Sequence, residues 1–147
     1  MNRRIAVRGI IVKDGKLFGV QQKRSDGSVN DFWSMPGGGL DENEGIRDGL
    51  RREIIEETGV VPDIGNLLFI QQFMDDHIEQ FELMFHIKNA NEFESIDLTT
   101  TSHGVSEIER SSFVDPKSAT ILPAFLGEVE LPVDPDKTLP VQLFSYL

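Results

Sequence analysis

The sequence predicts an α/β fold with a mixed β-sheet covered by helices. Three features carry that expectation: β-branched apolar runs near the start, one strongly periodic helix in the middle, and a second pair of apolar runs after it. Residues 5–12 and 17–22 flank Lys13-Asp14-Gly15-Lys16, whose Asp-Gly pair suits a tight turn, so two antiparallel strands are expected. Residues 24–31 are polar and carry Gly, Ser and Asn, as a loop requires. A short apolar stretch at 32–35 is then stopped by a glycine-rich turn, Pro36-Gly37-Gly38-Gly39. From residue 44 to 58 the apolar Ile46, Leu50 and Ile54 recur every four positions, with Asn43 placed to cap the start and Gly59 to end the helix. Strands are expected at 67–74 and 81–87, where Phe73 and Phe81 read as core. Phe113-Val114 reads as a further short strand. Residues 118–129 read as a second helix interrupted early by Pro123.

A chain of 147 residues, 39% hydrophobic and 27% charged, has the balance of one globular domain over residues 1–147, with an extended Pro-dotted tail from about residue 131 (Pro132, Pro135, Pro140). The net charge of -11 argues against a long nucleic-acid footprint or an anionic membrane, and makes any polyanionic ligand dependent on a screening cation. With no cysteine, thiolate metal sites and cysteine nucleophiles are excluded. Arg8, Lys13 and Asp14 break the apolar start before a signal-peptide core or a spanning helix develops, so a cytoplasmic location is expected.

The informative segment is GGLDENEGIRDGLRREIIEETGV, residues 38–60. On an ideal helical wheel of about 100° per residue, Glu53, Glu56 and Glu57 share one side, and that arc overlaps the one carrying Ile46, Leu50 and Ile54. Glu57 should therefore be partly desolvated. The arrangement is poor for stability: Glu53 and Glu57 are like charges four residues apart, and all three approach the helix C-terminus, where the macrodipole repels anions at about 0.3–1 kcal/mol each. Arg51 and Arg52 would supply the ion pairs of an ordinary solvated face. The glycines point elsewhere. Gly45 and Gly49 lie on the carboxylate side, and a glycine inside a helix costs about 1 kcal/mol relative to alanine, a sacrifice that suits close approach by a loop, strand or ligand. Hard oxygen ligands of this kind suit Mg²⁺ or Mn²⁺, which take one or two carboxylates plus substrate phosphates.

This segment resembles the Nudix box: Gly, five residues, Glu, seven residues, Arg-Glu, an aliphatic residue, any residue, Glu-Glu, any residue, Gly and an aliphatic residue. Gly38, Glu44, Arg52, Glu53, Ile54, Glu56, Glu57, Gly59 and Val60 fill those places without a departure. The lead-in Trp33-Ser34-Met35-Pro36-Gly37-Gly38 also looks like that family's. The resemblance implies a Nudix-type α/β/α sandwich with a mixed β-sheet and a loop-helix-loop catalytic motif, in a hydrolase acting on a nucleoside diphosphate linked to another moiety. It implies Mg²⁺ or Mn²⁺ held by Glu53, Glu56 and Glu57 with the backbone carbonyl of Gly37, Arg52 orienting the glutamates and Gly38 beside the substrate. A general base would be a box glutamate or Glu107 from a later loop, with Glu109, Glu92 and Glu94 as alternatives. Glu44, on the far side of the wheel, reads as a group that stabilises the box.

Substrate-side expectations are Lys23 and Arg24, which end the second strand where a cation reaches a phosphate, and Trp33, which could stack on a base or simply pack. His77, His86 and His103 have no ligand spacing. ADP-ribose pyrophosphatases of this type often carry a proline where Met74-Asp75-Asp76 stands here, and many dinucleoside-polyphosphate members a tyrosine where Asp76-His77-Ile78 stands. The coenzyme A signature is not recognisable. What remains is a generic member hydrolysing a small nucleotide, a nucleoside triphosphate to monophosphate and pyrophosphate. A nucleotide-sugar or ADP-ribose pyrophosphatase and a non-catalytic nucleotide-sensing module are the alternatives. A homodimer would use the apolar end, residues 141–147.

Overall fold

The computed structural model describes residues 2–101, 103–132, 134 and 137–147, and it has the α/β class with mixed sheets that the sequence predicts. One sheet has the order β10 (Gln142–Ser145), β6 (Ile64–Asp75), β7 (Ile78–Ile87), β1 (Arg3–Ile10), β5 (Gly37–Gly39). It is mixed: β10 with β6 and β7 with β1 run parallel, while β6 with β7 and β1 with β5 run antiparallel. In the second sheet β3 (Lys16–Gln22) carries β8 (Ile108–Val114) along one edge; β2 (Val12–Lys13) and β4 (Trp33–Ser34) share the other, and β4 pairs with β9 (Ile121–Leu122).

The expected strand at 5–12 is divided between the two sheets. Ile10 packs into the core shared by Leu17, Met35, Phe69 and Met84, whereas Ile11 packs into the one shared by Phe18, Leu50, Ile54 and Phe85, and both are fully buried. The chain crosses between sheets there because consecutive strand residues face opposite sides. The expected turn does close β2 on β3, with Asp14 and Gly15 both at positive φ (51° and 75°), as a two-residue hairpin demands.

Helix α1 (Ile46–Thr58) starts at Gly45, extended and without a side-chain cap, and Asn43 does not cap it as expected. It ends at Gly59 in the left-handed region, φ 77°, with the Gly59 N–H donating to the Ile55 carbonyl at 2.9 Å. The expected helix at 118–129 is not formed. Pro123 lacks an N–H and biases Leu122 to extended backbone, so Ile121-Leu122 pairs with Trp33-Ser34 as β9 and only a single 3₁₀ turn, Ala124–Gly127, follows. The tail ends as β10 on the edge of the first sheet, its Phe144 stacked on Phe125 at 4.0 Å; Pro135 lies outside the described residues. Among the described residues no helix is long and apolar enough to cross a membrane.

Candidate active site

Fully buried Leu50 and Ile54 fix the rotation of α1 on the sheet and so turn Glu53, Glu56 and Glu57 toward β5. Here the sequence expectation of a glycine turn is corrected: Gly37, Gly38 and Gly39 form a strand, registered against Arg8, Val7 and Ala6. Gly37 sits at φ 142°, and a Cβ on it would lie 2.0 Å from the Val7 carbonyl oxygen; one on Gly38 would lie 2.6 Å from Glu53 Cδ. The bare backbone is what lets strand and helix approach. Gly49 serves the same end, since a Cβ there would meet Leu40 at 2.3 Å and Glu44 at 2.8 Å, whereas Gly45 stands outside the helix. Gly38→Ala is expected to stay folded, because the Glu53 side chain can turn aside, yet to lose about tenfold or more in turnover, read by steady-state assay beside a melting curve.

Strand, helix and the turn before β8 enclose a cleft of about 340 Å³. Gly37, Gly38, Arg52, Glu53, Glu56, Glu57 and Glu107 all border it. Arg52 is the hub: its Nη1 donates to Glu53 and Glu56 at 3.1 Å each, while Nε and Nη2 grip Glu44 at 2.7 and 3.0 Å and Nη2 reaches the Gly39 carbonyl at 3.3 Å. These hydrogen bonds, with one from the Asp41 N–H, lower the Glu44 carboxyl to about 2. Burial raises Glu53 despite the pull of Arg52.

Glu57 lies deepest, 2% exposed, and confirms the desolvation read from the wheel. Burial pushes its carboxyl up to about 8 against the attraction of the Arg8 guanidinium. Its Oε1 accepts a long 3.4 Å hydrogen bond from the Gly37 N–H, and its Oε2 has no partner at all. Arg8 is already committed, donating to Glu82 at 2.7 Å and to the Met35 carbonyl at 2.9 Å. As the side chains stand, no three His, Asp or Glu among the described residues are gathered closely enough to hold a metal ion, because Arg52 occupies the space between Glu53 and Glu56. The donor set nonetheless fits a hard divalent cation: a buried orphan carboxylate oxygen beside two further carboxylates lacks a positive partner.

A pH dependence follows. The folded protein keeps on Glu57 a proton that the unfolded chain releases from pH 4.5 upward, so metal-free stability should fall as pH rises from about 4.5 to about 8. At roughly 1.4 kcal/mol per unit the loss amounts to a few kcal/mol. A cation at the site should therefore raise Tm more at the upper end of this window than at the lower, which thermal melts with and without Mg²⁺ would register.

Three cleft neighbours escaped the sequence reading. His103 accepts no ligand spacing in sequence, yet its Nδ1 lies 3.2 Å from Glu56 and 3.9 Å from Glu107, and its backbone joins α1 to the turn carrying Glu107. Arg4 and Gln22 complete the rim. The available signal was Arg4 and Arg8, two cations on one face of a strand that from Ala6 onward is otherwise buried. The structure does not bring Lys23, Arg24 or Trp33 to this cleft. Lys23 lies 3.8 Å from Glu109, Arg24 donates to Asn30, and Trp33 packs beside the core under the Arg110 guanidinium.

Known proteins resemble this chain in family and in fold. A family model described as the NUDIX domain matches residues 2–135. An ADP-ribose pyrophosphatase from Methanocaldococcus jannaschii is 35% identical over 71 residues, 48% of this chain and 41% of that one. An 8-oxo-dGTP diphosphatase from Buchnera aphidicola is 41% identical over 54 residues, 37% of this chain and 41% of that one. The matched stretch thus spans about two fifths of each of these relatives. The solution structure of the E. coli ORF135 protein superposes with a TM-score of 0.66 at 20% identity, covering 86% of this chain and 85% of the other.

Proposed function

The chain belongs to the NUDIX family, and on that premise we propose that it hydrolyses, with Mg²⁺ or Mn²⁺, the phosphoanhydride bond of a nucleoside diphosphate linked to another moiety, by preference a nucleoside triphosphate giving the monophosphate and pyrophosphate. The observation that carries the reading is the buried, unpartnered Glu57 Oε2 in a cleft with Glu53 and Glu56, closed on the other side by glycine backbone. Glu53, Glu56 and Glu57, with the Gly37 carbonyl, would hold the ion. When bound, it supplies charge neutralisation for the diphosphate and Lewis acidity.

The chain's own residues do the rest. Arg52, anchored by Glu44, sets the carboxylates of Glu53 and Glu56. Glu107 stands exposed on the rim and is the candidate to take the proton of the attacking water. The water oxygen bonds to phosphorus, the bridging P–O bond breaks, and its electrons leave with the departing phosphate group. Glu107→Gln is expected to lower kcat by about 10²-fold with Tm unchanged. Unaltered turnover would assign the base to a box glutamate instead.

The reading is tested by incubating the protein and Mg²⁺ or Mn²⁺ with canonical and oxidised nucleoside triphosphates, ADP-ribose, dinucleoside polyphosphates and nucleotide sugars, then separating products. Monophosphate plus pyrophosphate from a triphosphate is the expected result. Cleavage of ADP-ribose alone would favour the second reading, supported by the name of the Methanocaldococcus relative. No metal-stimulated cleavage of any compound would overturn the hydrolase assignment.

A further inference from the structure

A larger cavity, about 550 Å³, opens beside the carboxylate cleft, and Arg4 and Gln22 border both. Its floor is one face of the first sheet. Arg4 pairs with Gln80 across β1 and β7, Gln80 with Phe73 and Glu82 with Gln71 across β7 and β6, so these side chains stand together. Gln71, Gln80 and Glu82 are all less than 10% exposed, an unusual polar content for a sheet interior. Gln71 donates to Glu82 at 2.7 Å and Gln80 accepts from Arg4 at 3.3 Å, which fixes both amides in place. Phe73, expected from the sequence to be core, is instead half-buried and faces this cavity, as do Phe32 and Tyr146.

Tyr146 comes from a segment outside the residues that match the family model, which ends at 135. Its place is nevertheless well built: β10 runs parallel to β6 with Phe144 opposite Gln71, the Tyr146 N–H donates to the Gln72 carbonyl at 2.9 Å, and Phe144 is stacked on Phe125. Tyr146 is 61% exposed and belongs to neither core cluster. A pocket of this size, with aromatic walls, an amide floor and a guanidinium at the side facing the carboxylates, has the chemistry of a nucleoside site.

We propose that the C-terminal strand completes the substrate pocket and that Tyr146 is a specificity-determining wall on which the base of the nucleotide stacks. This rests on the reading above that the substrate is a nucleotide. Tyr146 is the chain's single tyrosine, so protein grown with ring-labelled tyrosine gives a spectrum from that ring alone. Titration with the five common nucleoside 5′-monophosphates and 8-oxo-dGMP should shift the ring signals upfield, saturably, for at least one of them. Ribose 5-phosphate and pyrophosphate should leave them unmoved. Tyr146→Ala should raise KM for the cleaved nucleotide by about tenfold or more at unchanged kcat, and Tyr146→Phe should restore it. If no nucleotide moves the ring signals at millimolar concentration, including one that the protein hydrolyses, the proposal is overturned while the hydrolase reading stands. A ring response without hydrolysis would support the pocket and remove the reaction.

Discussion

Glu57→Gln is expected to abolish metal-dependent hydrolysis, by a factor of about 10³, while melting at a higher temperature than the parent in metal-free buffer near pH 8. The two effects share one cause. Glu57 is 2% exposed, burial has raised its carboxyl to about 8, and one of its oxygens is unpartnered. A neutral amide removes the cost of ionising that group and retains a contact for the Gly37 N–H, so the apo fold gains what the site loses. The gain should vanish near pH 4.5, where the parent carries a neutral Glu57 in any case. Added Mg²⁺ should then stabilise the parent and leave the variant unchanged. A variant less stable than the parent at pH 8 would mean that Glu57 is a structural anchor and not a group held in reserve for a cation.

Arg52→Gln should fail in both respects, losing about 2–4 kcal/mol of stability and at least about 10²-fold in turnover. Arg52 binds Glu44, Glu53 and Glu56 and the Gly39 carbonyl, linking helix, preceding loop and glycine strand. Its removal leaves three carboxylates on one side of the cleft without their common cation. Exposure of 29% keeps the loss below that of a fully buried pair. Arg52→Lys should recover little, because a point charge cannot reproduce a fork that holds Glu44 through two nitrogens. Equilibrium denaturation and steady-state kinetics on the same preparations separate the two losses. A stable but inactive Arg52→Gln protein would show that the arginine serves chemistry alone.

The site was largely legible in sequence because it is local: one helix with its flanking glycines carries Gly38, Arg52, Glu53, Glu56 and Glu57 within a single stretch. What closes that site from elsewhere was not legible. Arg4 and His103 reach it, and Tyr146 of the tail strand reaches the neighbouring cavity, through pairings across the fold that nothing near them in sequence announces. Turn chemistry explains the strand errors. Asp14-Gly15 signalled its hairpin, but β6 and β7 are joined by Asp76-His77, both at positive φ (44° and 68°) with no glycine to mark the turn, so both strands were expected shorter than they are. At 118–129 an apolar run with helical spacing is overridden by Pro123 and by the unfilled edge of β4. Gln71 and Glu82 fall inside the expected strands and Gln80 just before the second, but nothing in their polarity shows that they face a cavity and not water.

The central claim is that a divalent cation enters among Glu53, Glu56 and Glu57. Crystals soaked in Mn²⁺ and measured for anomalous scattering would test it most directly. The account predicts an anomalous peak within coordination distance of Glu57 Oε2 and of at least one of the other two carboxylates, absent from Glu57→Gln crystals. Manganese bound only elsewhere, with Arg52 still bridging Glu53 and Glu56 in a protein that hydrolyses nucleotides, would contradict it.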